Sequence, residues 1–306
     1  MVVWHRLVSS LLSVSLVLGQ TSPNPSALDL IPACGKSCLQ SALPVTLCGA
    51  NNQTCLCEDE EFESVVTSCV MQSCTVKEQL TTKNATESSC GAVRRDKGTR
   101  LLVNTILLGV MTGIVVVARL TFRAFISKAD LGADDWAILA ALLIGLPGTA
   151  LICLGTYPNG VGKDVWTLSF DQITKFLFFF YISEIQYFIN LAALKLSLLL
   201  FYLRIFPDAK IRRLLAGTVA FDILFGAGFA GAALFQCAPM DYFWYMWDGE
   251  HAGHCVNINA MGWANAGISI SLDFWMLALP LSQLRGLRLH WKKKTGVAMM
   301  FMVGTL

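Results

Sequence analysis

From Leu101 onward the chain alternates long apolar runs with short polar joints rich in lysine and arginine. The apolar runs lie at about 101–122, 136–157, 176–203, 214–236, 260–282 and 296–306. All but the last approach the roughly 20 residues that an α-helix needs to cross a bilayer. Runs this long, without the strict alternation of a strand, predict transmembrane helices. Before Leu101 the pattern changes: residues 20–97 are more polar, and their apolar positions are sparse. Phe62, Val65, Val66, Cys69 and Val70 fall at i, i+3, i+4, i+7 and i+8, one face of a helix. The acidic run Glu58-Asp59-Glu60-Glu61 precedes that face, where the helix macrodipole favours negative charge. The first nineteen residues form a third pattern. His5 and Arg6 precede an apolar core from Leu7 to Leu18 and a small-residue junction at Gly19, the layout of a cleaved secretory signal. A core that short does not span a bilayer.

Composition agrees with this division. Hydrophobic residues make up 55% of the chain and charged residues 14%, far from a soluble enzyme and typical of a polytopic membrane protein. The net charge of +2 gives no basis for nucleic-acid binding. Cysteine adds more. Cys34, Cys38, Cys48, Cys55, Cys57, Cys69, Cys74 and Cys90 are eight of the chain's eleven, all ahead of the first long run. Such an even, dense set in a small segment implies disulfides and an oxidising compartment. Zinc is the weaker alternative, because the segment holds no histidine and no repeated C-x-x-C. The N-terminal segment is therefore expected outside the cell.

Counting basic residues gives the same orientation. With the N-terminus outside, the cytoplasmic joints carry Arg119, Arg123, Lys128, Arg204, Lys210, Arg212, Arg213, Arg285, Arg288, Lys292, Lys293 and Lys294, and the outer loops only Lys163 and Lys175. Arg94, Arg95, Lys97 and Arg100 run against the rule, but a signal peptide commits the N-terminus before they emerge. Cys237 and Cys255 then share an outer loop, where a bridge between them would pin the extracellular mouth. The aromatics Tyr242, Phe243, Trp244, Tyr245 and Trp247 of that loop read as anchors at the water–lipid boundary.

Two resemblances follow from the motifs. The spacing C-x3-C-x9-C-x6-C-x-C-x11-C-x4-C-x15-C, with Pro32 before the first cysteine, resembles the fungal CFEM domain from about Ala27 to Cys90. That resemblance implies bridges Cys34–Cys74, Cys38–Cys69, Cys48–Cys55 and Cys57–Cys90. It also implies that a haem-ligating aspartate would occupy position 52, where this chain has Asn52; no cofactor is expected. Asn52-Gln53-Thr54 and Asn84-Ala85-Thr86 are glycosylation sequons. In the apolar half, Ala133-Asp134-Asp135-Trp136, Gly160-Val161-Gly162-Lys163, Lys195-Leu196-Ser197, Tyr202-Leu203-Arg204-Ile205-Phe206 and Phe235-Gln236-Cys237-Ala238-Pro239 occur in order, and Asp273 precedes Pro280. Together they resemble the fungal rhodopsin-like seven-span domain, of which six helices are visible here. The expected architecture is all-α: signal peptide 1–19, CFEM domain 20–97 and membrane domain 98–306.

Ionisable groups inside a bilayer are functional candidates because charge in hydrocarbon is costly. Glu184 and Lys195 are eleven residues apart, within about 20° of each other around a helix. Lys195 is expected to pair with Asp222 or with Asp273, with Glu184 and Asn190 nearer the outer cavity. Interhelical polar glue is the bland alternative. No metal site and no catalytic motif is evident, and the four histidines form no metal-spaced set. The resemblance implies a plasma-membrane receptor related in shape to G-protein-coupled receptors. It would sense an extracellular ligand or surface and report through a heterotrimeric G protein at the basic loops. The alternative is a CFEM module that binds haem or adheres to surfaces, with the helices as a mere anchor.

Overall fold

The computed structural model describes residues 30–49, 52–126, 130 and 132–286, with side chains through Ser282. The expected signal peptide, the incomplete sixth run, and Lys128, Arg288 and Lys292–Lys294 lie outside the described residues, as does the Arg285 side chain. The structure is helical, as the patterning predicts.

The N-terminal module contains α1 (Ala33–Ala42), α2 (Gln53–Glu58), α3 (Glu60–Ser73) and α4 (Val76–Ser89). Its stability is covalent as much as hydrophobic. Disulfides join Cys38 to Cys69, Cys48 to Cys55 and Cys57 to Cys90. Cys34 and Cys74 are also disulfide-bonded. Between the staples α3 buries Phe62, Val66 and Val70, the stripe read from the sequence, while Val65 and Cys69 are half-buried. Asp59 starts α3. One carboxylate oxygen accepts the N–H groups of Glu61 and Phe62, both at 3.0 Å, and the other accepts the Thr46 hydroxyl. These bonds, led by the Thr46 hydroxyl and the Phe62 N–H, hold the Asp59 carboxyl below its ordinary range.

Among the described residues, the second half holds five helices long and apolar enough to cross a membrane. They are α5 (Gly98–Thr121, continued by a π-helical turn to Ile126), α6 (Ala133–Ala150, continued likewise to Thr156), α7 (Phe170–Ile205), α8 (Ala209–Leu234) and α10 (Ile258–Gly286). Most start and end a few residues outside the apolar runs, because backbone hydrogen bonding continues past the hydrocarbon until a cap stops it. Ser169 and Gln172 exchange side-chain and backbone bonds at the start of α7, a capping box. Asp208 accepts the Lys210 N–H at the start of α8. The exception is the end of α8, where Gln236 and Cys237 leave the helix for the short strand β1 (Cys237–Ala238). That strand pairs antiparallel with β2 (His254–Cys255), and Cys237 is disulfide-bonded to Cys255.

At 36 residues, α7 is about 54 Å long, well beyond a ~30 Å hydrocarbon core. It is the axis of the bundle, with α6 and α8 packed along it and α5 against α6. One core lies near the C-terminal end of α7, where Leu199 and Tyr202 meet Ile211 and Leu215 of α8 and Met276 and Leu279 of α10. The other lies at the hairpin, where Tyr181 meets Cys237 and Phe243. The aromatic run is therefore packed inward as well as amphipathic. Within α9 (Tyr242–Tyr245), Phe243 is buried, and Trp244 stands edge-on to Phe178 with centroids 5.1 Å apart. Trp247 donates its indole N–H to Thr174. In this disulfide-pinned loop Phe243, Trp244 and Trp247 pack against α7, while Tyr245 stacks on His251.

Candidate functional site

Three polar joints are strung along α7, at Glu184, Lys195 and, at its C-terminal end, Arg204. Near the hairpin, Glu184 accepts the Gln236 side-chain amide at 2.9 Å, and the Tyr181 hydroxyl donates to the Leu234 carbonyl at 2.7 Å. These bonds tie the upper part of α7 to the segment that carries the Cys237–Cys255 bridge. In the adjoining loop the Asp248 carboxyl is buried, which pushes it up. The Glu250 N–H and the His251 ring outweigh that effect and hold it below its ordinary range.

The middle joint lies eleven residues further along. The Lys195 ammonium is buried, forms an ion pair with Asp273 of α10, and donates to the Ser269 carbonyl at 3.1 Å. Of the two partners the sequence left open, the contact is with Asp273. Asp222 of α8 lies within electrostatic reach of both, yet its carboxylate is fully buried and neither oxygen accepts a hydrogen bond from the described residues. One turn before it, the Thr218 hydroxyl accepts the Trp275 indole N–H at 3.0 Å and donates to the Leu214 carbonyl. Three helices thus meet around one lysine and two carboxylates.

Asn190 faces another way, beside Gly145 of α6, and its buried side-chain oxygen has no hydrogen-bond partner among the described residues. One turn earlier Gln186 donates to the Ile144 carbonyl at 2.7 Å, beside Pro147. A cleft of about 850 Å³ opens here between α6 and α7, lined by Leu143, Pro147, Leu151, Phe179, Ile182 and Gln186.

The third joint is one the sequence reading did not assemble. Asp134 and Asp135, in the first turn of α6, are both almost fully buried. Three guanidinium groups from other segments surround them. Arg119 reaches Asp134 at 2.9 Å and Asp135 at 3.3 Å, and Arg123 pairs with both. Arg204 of α7 reaches Asp134 at 2.9 Å and Asp135 at 3.4 Å, and also donates to the Asp130 carbonyl. Asp135 further accepts the Gly132 N–H at 3.1 Å. Arginine suits this place because its fork can serve two carboxylates at once. The sequence signal was available, since adjacent acids opened one run and arginines closed two others. Arginine counts alone were read as orientation.

The loop between α6 and α7 explains a motif that had no role in the sequence. Gly160 and Gly162 have φ of +96° and +79°, a region that favours glycine. A side chain on Gly162 would sit 2.6 Å from the Gly98 nitrogen. The close approach lets Lys97 donate its N–H to the Gly162 carbonyl at 2.9 Å, while the Arg95 N–H reaches the Asp164 carboxylate. The basic cluster before the first span is therefore partly matched by acid.

In the module, Asn52 and Asn84 are exposed. The Asn52 side-chain oxygen accepts the Cys55 N–H at 3.3 Å and so caps α2. A shallow depression of about 480 Å³ adjoins it, lined by Cys48, Asn52, Thr54, Cys55, Glu58 and Asp59.

Comparisons with known proteins agree with this anatomy. A family model described as the CFEM domain matches residues 27–91, and one described as the fungal rhodopsin domain matches residues 118–306. A relative described as "SAT4 family membrane protein", from Emericella nidulans, is 28% identical over 180 residues, covering 56% of this chain and 46% of its own. Another, "Polyenoic acids biosynthesis gene cluster protein Ba17b" of Metarhizium anisopliae, is 27% identical over 214 residues, covering 68% of this chain and 57% of its own. The chain thus spans about half the length of the curated relatives it matches. No solved structure matches. With most of its length matched by one family model and its cysteine module by another, the chain belongs to the fungal rhodopsin-domain family of membrane proteins and carries a CFEM domain ahead of its helices.

Proposed function

We propose that the protein is a plasma-membrane receptor, its CFEM domain and Cys237–Cys255 hairpin outside and the Arg204 end of its bundle in the cytosol. The observation that carries this reading is the placement of the three polar joints on one helix. Glu184, Lys195 and Arg204 are spaced by eleven and nine residues, about 16 Å and 14 Å along α7. A shift of α7 against α6, α8 or α10 would exchange partners at more than one joint, which is how a stimulus at one face biases two arrangements of a bundle. An apolar cue would fit the cleft beside Pro147.

Disulfides need an oxidising side, and Arg119, Arg123, Arg204, Lys210, Arg212 and Arg213 gather at the other, in keeping with the positive-inside rule. Cleavage near Gly19 and glycans at Asn52 and Asn84 belong to the same proposal. Coupling to a heterotrimeric G protein is tested by co-precipitating a Gα subunit from fungal membranes. The wild type should capture it, and Arg212→Glu with Arg213→Glu should not. If Gα is never captured while the CFEM domain still binds surfaces, the helices serve as an anchor and the receptor reading fails.

The CFEM domain is proposed to work without haem. Position 52 offers a neutral amide whose oxygen already caps α2, whereas a hard ferric ion favours a carboxylate. Titration with hemin should give no Soret band in the wild-type protein; a saturable band would overturn this part.

A further inference from the structure

We propose that Asp222 is a proton-binding site inside the bundle, at the junction of α7, α8 and α10, and that its proton is what balances the charge there. The proposal rests on the receptor reading only in that both concern this junction; the proton site would stand in an anchor as well. Two observations carry it. First, the Asp222 side chain is fully buried and neither carboxylate oxygen accepts a hydrogen bond from the described residues. Second, the one cation within reach among the described residues is committed elsewhere: Lys195 spends its ammonium on Asp273 and the Ser269 carbonyl. One lysine and two ionised aspartates would leave a net negative charge among three apolar helices, where an uncompensated ion is costly.

The groups that face Asp222 are few. From α7 there is Lys195, and from α10 Asp273; on α8 itself the Thr218 hydroxyl, one turn away, is already bonded to Leu214 and Trp275. A hard metal cation needs several oxygen ligands, and no such set converges here among the described residues. A single proton needs only one carboxylate oxygen. Adding it to either Oδ of Asp222 makes the junction neutral without disturbing the Lys195–Asp273 pair. Removing it gives Lys195 a second anionic partner, and that choice links α8 to α10 through one ammonium.

Infrared difference spectroscopy on the full chain in lipid nanodiscs tests the site. The wild type should show the carbonyl stretch of a protonated carboxylic acid, lowered in D2O. Asp222→Asn should lose the band, and Asp222→Glu, which keeps the acid if the amide variant fails to fold, should move it. Glu184→Gln, at an intramembrane carboxyl outside this junction, should leave it in place. A wild type without the band, or a band that follows Glu184, overturns the proposal. So does thermal stabilisation by sodium over N-methylglucamine that Asp222→Asn abolishes, since the occupant would then be a metal cation.

Discussion

Lys195 shows how far one side chain's environment decides its role. Its ammonium is withdrawn from lipid by a carboxylate and a backbone carbonyl on α10, so removing it strands Asp273. Breaking a buried pair from one side costs about 3 kcal/mol. Lys195→Met should therefore lower the melting temperature markedly, and adding Asp273→Asn should recover most of the loss. Asp273→Asn alone should cost less than Lys195→Met, because Asp222 stands by as a replacement partner; equal losses in thermal unfolding would contradict that. Helical spacing put Lys195 and Glu184 on one face. It could not choose between Asp222 and Asp273, since periodicity fixes the azimuth on a helix and not the neighbour it meets. In the module, Asp59 makes a pH prediction. Its carboxyl is held below its ordinary range by the Thr46 hydroxyl and the α3 N–H groups, so the stabilisation is present above the ordinary carboxylate range. It is lost as pH falls through the lowered value. Hydrogen-exchange protection at Glu61 and Phe62 should fall with acidification in the wild type and change little in Asp59→Asn.

At the scale of elements, the close approach of α7 and α8 depends on a missing side chain. A Cβ on Gly226 would lie 2.4 Å from the Ala192 Cβ, whereas Gly228 and Gly217 of the same helix have nothing within 4 Å. Small residues at helix contacts are what allow van der Waals packing in a membrane. Gly226→Leu should cost about 1–3 kcal/mol by overpacking, and Gly228→Leu close to nothing. A comparison of their melting temperatures checks this, and similar losses in both would mean that α7 and α8 do not meet at Gly226. The helices themselves were legible because their apolar runs match the bilayer's thickness. The Asp134–Asp135 cluster was not, because its arginines come from two other segments, one of them 70 residues away, and local patterning carries no information about such meetings. The cysteine module lies between these extremes. An even cysteine count in a polar segment signals bridges, while the pairing came only from the family resemblance.

For the whole molecule, the proposed function depends on an axis across the membrane: the cysteine module and the Cys237–Cys255 loop are proposed on the outer side, and Arg119, Arg123 and Arg204 on the inner. The intramembrane joints acquire a direction only if that axis crosses the plasma membrane in the proposed sense. The most direct measurement is labelling of intact fungal cells with a membrane-impermeant maleimide, using single cysteines at Lys210 and at Ala252 with Cys153 replaced by serine. The account predicts that the position in the Cys237–Cys255 loop reacts on intact cells and that position 210 reacts only after permeabilisation. Labelling of position 210 from outside, with position 252 protected, would contradict it.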